Sequence, residues 1–304
     1  MRYSLVNRVK GTFLGVLLGE SLATQNAGEL GEIAVLGSES LIILGRLDVD
    51  DWLKRCQKAD VNLETSNLTW RKVIVATLPV AIFFHEDTVK LKSNLLQVLQ
   101  IWNPNPVLRD AALAMGYAIA KSLTEKLDPV TLIPQTIEFL AEKTNLLPQK
   151  LLKVKTLLEQ EARLEQAQRE FSQHEQISDN MALAFYCFLS TVEDFRLTML
   201  RATNNSPQPN YGCCPFAGAL SGSYNSTVGI PVNWQVSLSA SHQPLWGSKS
   251  FVQMLELADD LVAVWSGAYN INPHTKKLKQ VGCDINQELT PLSIFAAPRV
   301  IRPR

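Results

Sequence analysis

Glycine recurs at every fourth position, Gly11, Gly15 and Gly19, through the apolar run GTFLGVLLG. In a helix that spacing places all three on one face. A face without side chains lets another backbone approach closely, so the pattern predicts a helix over about 6–23, buried against a partner. Arg2, Arg8 and Lys10 ahead of the run imitate a secretory leader. The apolar run is short for that purpose, and the glycine face suits a buried first helix better. No segment reaches the ~20 apolar residues that cross a bilayer.

A second feature is electrostatic. From Ala202 to Ser248 there is no Asp, Glu, Lys or Arg, and most of NNSPQPNYGCCPFAGALSGSYNSTVGIPVNW is small or uncharged. Its Pro, Gly, Ser and Asn content excludes a membrane span, and a small-residue helix is expected over about 213–224. Elsewhere the hydrophobic period is helical. Helices are expected over about 33–44 with Gly45 as the stop, and after Asp48, an N-cap followed by the acidic first turn of DVDDWLKRC. Further helices should cover 70–85, interrupted at Pro79, and then 90–102, 107–123, 129–143, 180–192, 194–202 and 251–268. "GIPVNW" should be a turn leading into another helix. No period-two strand pattern persists, so the expected class is all-α, with one domain over 1–270 and an irregular basic tail over 271–304.

Residues from about 148 to 176, which include QKLLKVKTLLEQEARLEQAQREFSQHEQ, are charged and rich in Glu and Gln. Leu157, Leu164 and Phe171 recur at seven, with Val154, Glu161 and Gln168 between them. That reads as one long, mostly solvated surface helix; a coiled coil or a projecting partner-binding helix are the alternatives.

Formal charge balances at 29 Lys+Arg against 29 Asp+Glu, so the chain lacks the basic excess of a nucleic-acid binder. Hydrophobic residues make up 46%, enough for a large core. Five cysteines, Cys56, Cys187, Cys213, Cys214 and Cys283, form no C-x-x-C. They read as buried thiols of a reducing, cytoplasmic compartment. No histidine stands in a frame with Ser or Cys that suggests a nucleophile, and no phosphate-binding glycine loop occurs.

With these residues in hand, RVKGTFLGVLLGESLA resembles the opening helix of the ADP-ribosylglycohydrolases. Gly11, Gly15 and Gly19 match, and Glu20 stands where Asp is usual. CCPFAGALSGSYNSTVGIPVNW resembles the family's second signature through Gly218, Ala219, Gly222, Ile230, Pro231 and Trp234. ATLPVAIFF and the pair MALAFYCFL and DFRLTMLRATNN are similar to intervening helices. The resemblance implies an all-α fold and hydrolysis of a glycosidic bond to ADP-ribose with two Mg²⁺ or Mn²⁺ ions. Such hard cations need several carboxylate oxygens.

Aligned on these signatures, the family's Thr-Asp-Asp-Thr motif falls on Gly28, Glu29, Leu30 and Gly31. Its Asp-x-Asp-Thr motif falls on Pro209, Asn210, Tyr211 and Gly212. One carboxylate, Glu29, remains near the first slot, and the second slot has none. The resemblance therefore implies a member without its dimetal site and with no cofactor. Three roles follow. Binding of an ADP-ribose-like ligand would use a cleft lined by Asn210, Tyr211, Gly212 and Tyr224. A scaffold would meet a protein partner through 148–176 or the basic tail. A surviving hydrolase would use Glu20 and Glu29 with an altered metal. Glu20 itself reads equally as a pocket acid or as an ordinary capping acid. Asp48, Asp50 and Asp51 read as helix-start acids, and Asp259 and Asp260 as solvated.

Overall fold

The computed structural model describes residues 3–23, 28–61, 63, 69–140, 145–171, 176–203, 211–240, 245–246 and 249–268, with only the backbone of Tyr211. The elements are helical throughout. They run α1 (Leu5–Ala23), α2 (Glu32–Leu44), α3 (Val49–Lys58), α4 (Trp70–Ala76), α5 (Leu78–Phe83), α6 (Thr88–Leu99), α7 (Pro106–Leu123) and α8 (Leu132–Leu140). Then follow α9 (Leu146–Glu159), α10 (Leu164–Glu170), α11 (Gln176–Leu189), α12 (Phe195–Thr203), α13 (Cys214–Asn225), α14 (Val232–Ala240) and α15 (Phe251–Trp265). Among the described residues the one extended pairing is an isolated bridge between Leu245 and Lys249.

Local chemistry explains the boundaries. Asp48 caps α3 by accepting the Asp51 N–H at 3.0 Å, and Asp87 caps α6 by accepting from Val89 and Lys90. Asn105 does the same for α7, with Pro106 at its first position. Ser250 and Gln253 form a reciprocal capping box at α15. Gly45 ends α2 in the left-handed region at φ 64°. Pro79 sits in the first turn of α5, so the apolar stretch from Trp70 divides into α4 and α5.

The partner of the glycine face is α13. A Cβ on Gly11 would lie 2.3 Å from the Gly222 carbonyl, one on Gly15 2.0 Å from that of Gly218, and one on Gly19 2.4 Å from that of Cys214. The order of these contacts makes α1 and α13 antiparallel, with glycines facing glycines. Charged side chains would hold such backbones apart, which accounts for part of the charge-free run. Around this pair one apolar cluster extends from Val9 to Val262.

Residues 148–176 differ from expectation. They do not form one solvated helix: α9 ends at Glu159 and α10 begins at Leu164. Glu161 takes φ 49°, and its N–H and that of Ala162 bond back to Leu158 and Leu157, closing α9. The Ala162 carbonyl accepts the Tyr186 hydroxyl at 2.5 Å, fastening the turn to α11. Leu151, Val154, Leu157, Leu164, Ala167 and Phe171 are buried. Lys153 of α9 pairs with Glu170 of α10 across the turn. The heptad stripe is thus core, wrapped against α11, and the charges are its outer face.

Candidate functional site

The two slots that the resemblance assigns to the family's motifs lie at one end of the α1–α13 pair. Gly19 abuts Cys214, so Glu20, at the end of α1, and Gly212, just before α13, lie at the same end. Between Gly28 and Gly31 the chain turns into α2, and Glu20 organises that turn. The Glu29 and Leu30 N–H groups donate to its Oε1 at 2.9 and 3.0 Å. Glu20 is buried at 3% exposure. Burial pushes its carboxyl above the usual carboxylate range, and bonds from the Leu30, Gly28 and Glu29 backbones and the Trp246 indole offset part of the rise.

Glu29 sends its side chain the other way. It is 71% exposed and lies 3.8 Å from the Lys72 ammonium. Leu30 is buried. Gly31 carries the indole of Trp246: a Cβ there would come within 1.8 Å of the ring. Trp246 is fully buried, with its ring edge-on to Phe13 at 5.5 Å. The turn that presents it is held by Leu245 N–H to the Lys249 carbonyl at 2.7 Å, and Lys249 pairs with Glu39 of α2 at 2.6 Å. Trp246 is therefore a wedge pinned to α2 and seated on the first slot.

At the second slot, Gly212 lies against the Asn180 amide of α11; a Cβ would meet its Oδ1 at 2.4 Å. No larger residue fits there without moving Asn180. Pro209 and Asn210 lie outside the described residues, as does the side chain of Tyr211. Tyr224 does not join them. It sits near the opposite end of α13, about 15 Å away at 1.5 Å per residue, with its ring edge-on to Phe188 at 6.0 Å. Tyr224 is therefore separated from Gly212 by the length of the helix that carries it.

This donor set does not fit a pair of hard cations. One oxygen of Glu20 already holds two N–H groups, Glu29 faces away, and Leu30, Gly31, Gly212 and Trp246 offer no anionic oxygen. Among the described residues no group of three or more His, Cys, Asp or Glu is placed to hold a metal ion. The other acids have structural occupations. Asp51 accepts from Arg55 at 2.6 Å and Ser40 at 2.7 Å, while Asp259 pairs with Lys10 at 2.7 Å. Burial pushes the Cys187 thiol up to about 12 and the Cys56 thiol up to about 11, so neither supplies a thiolate.

The sequence reading named neither Trp246 nor Asn180 as neighbours of these segments. A second tryptophan, after Trp234, in the uncharged stretch was the available signal for the first. No helix among the described residues is long and apolar enough to cross a membrane. A model of the ADP-ribosylglycohydrolase family matches residues 51–270. A solved structure described as an ADP-ribosylglycohydrolase-related protein complex is similar with a TM-score of 0.59 and 15% identity, over 86% of this chain and 99% of that one. At that identity it speaks for the fold alone. No curated protein matches.

Proposed function

Since the chain belongs to the ADP-ribosylglycohydrolase family, we propose that it is a member that does not carry out the family's metal-dependent hydrolysis and that serves as a non-catalytic regulatory or scaffold protein. The observation that carries this reading is Trp246 seated on Gly31, the position that the sequence resemblance aligns with a metal-binding motif. Pinning of that turn through Lys249 and Glu39 supports it, because the wedge is part of the fold's packing. So does the use of Glu20 as a backbone acceptor. An ADP-ribose-like ligand at this place would have to displace a buried indole, which favours the scaffold role over ligand capture. The charged segment 148–176 loses its standing as a projecting partner helix, since its apolar stripe is buried. The basic tail lies outside the described residues.

The test combines chemistry and binding on the full chain. ADP-ribosylated arginine and serine peptides are incubated with Mg²⁺ or Mn²⁺, and calorimetry follows metal and ADP-ribose. The expected result is no released ADP-ribose and no heat from either metal. Metal-dependent release that disappears in Glu29→Gln would overturn the proposal and restore a hydrolase with an altered site.

A further inference from the structure

Away from both slots, the entry to α8, the end of α9, α11 and α12 enclose a cleft of 490 Å³. Its walls are apolar at Val130, Leu158 and Leu189, and its polar groups converge on Tyr186 and Arg201. The Arg201 guanidinium lies over the Tyr186 ring, 5.5 Å from its centre. Its NH2 donates to the Tyr186 oxygen at 3.2 Å, and that hydroxyl donates to the Ala162 carbonyl at 2.5 Å. The Tyr186 ring and the Arg201 guanidinium are thereby fixed in place. The Arg201 Nε is buried and has no hydrogen-bond partner among the described residues. Nor does a carboxylate among them lie within ion-pair distance of Arg201, unlike Arg8 or Arg55.

A guanidinium stacked on a ring and set beside apolar walls suits a planar, two-oxygen anion. Charge at the mouth narrows the choice. Lys155 pairs with Glu159 at 3.7 Å, and Glu161 adds a further carboxylate. The lining thus carries two cations, Lys155 and Arg201, against two carboxylates, Glu159 and Glu161, a balance that disfavours a phosphate dianion more than a monoanion. We propose that this cleft binds a small monocarboxylate with an apolar body, its carboxylate gripped by Arg201 and its body laid against Val130, Leu158 and Leu189. The site is independent of the fate of the hydrolytic slots.

Calorimetry on the full chain tests it with hydrocinnamate, its primary amide and inorganic phosphate as probes. Saturable single-site binding of hydrocinnamate is expected, without binding of the amide or phosphate. Arg201→Gln should weaken it about tenfold or more, as when one partner of a charge-assisted pair is removed. Should that variant fail to fold, Val130→Asp leaves the core untouched, because Val130 is 76% exposed, and it should weaken binding through like-charge repulsion. The proposal is overturned by absence of hydrocinnamate binding, by equal binding of the amide or phosphate, or by unchanged affinity in Val130→Asp.

Discussion

Glu20 shows how a buried acid at the end of a helix can organise the turn that follows. Its Oε1 gathers the N–H groups of Glu29 and Leu30, while desolvation raises its folded value above the ordinary 4.5. Such a group contributes most below its unfolded value, and that contribution is lost as pH rises through the folded value. Glutamine keeps an acceptor for both N–H groups and has no charge to desolvate. Glu20→Gln should therefore melt at or above the parent at neutral pH, by up to about 1 kcal/mol, with the advantage shrinking as pH falls through the raised folded value toward 4.5 and staying level below it. Thermal melts of both proteins across that range check this; a variant weaker at neutral pH and equal in acid would contradict it. The sequence left Glu20 poised between pocket acid and capping acid, because its partners are backbone groups of a turn and its neighbour Trp246 arrives from far along the chain.

At the scale of elements, the legible features were those with local causes. The Asp48 cap, the Gly45 stop and the glycine face of α1 each depend on side chains within a turn or two. The break between α9 and α10 had no such mark, since the turn uses Glu161 at φ 49° where glycine is usual. Tertiary bonding, above all Tyr186 to Ala162, overrides the helical pattern there. Two glycines give a quantitative contrast. Gly15→Ala would put a methyl group 2.0 Å from the Gly218 carbonyl, and should cost about 3 kcal/mol or more because neither backbone can yield. Gly45→Ala meets nothing nearer than 3.8 Å, and should cost only about 1 kcal/mol for the left-handed backbone. Chemical denaturation of both variants measures the difference; similar losses would refute the close crossing.

Over the whole molecule, distant elements are tied by buried polar groups as well as by the core. Arg8 of α1 reaches Glu125 at 2.5 Å and bonds the Ser122 carbonyl at the end of α7. His85, after α5, packs on Trp265 of α15 with ring centres 4.7 Å apart, and its Nδ1–H donates to the Ile82 carbonyl at 2.6 Å. Burial lowers its affinity for a proton, only partly offset by that carbonyl and by Glu86. Its stabilising effect is complete above the ordinary 6.5 and is lost as pH falls through the lower folded value. His85→Phe should flatten the acid side of the Tm–pH curve just below 6.5; an unchanged slope there would show that His85 is not responsible. The family fold was legible as a whole because its glycine and small-residue signatures mark helices that cross backbone to backbone. The surroundings of Gly31 were not legible, because Trp246 reaches it from far along the chain. The crossing of α1 with α13 also has a consequence during synthesis. A newly made chain emerges from the ribosome with its opening helix unmated, and nearly all the remaining helices must follow before the mate arrives. Until then three bare glycines and their apolar neighbours stand exposed, so this protein should depend on chaperone protection more than a bundle of sequential hairpins would.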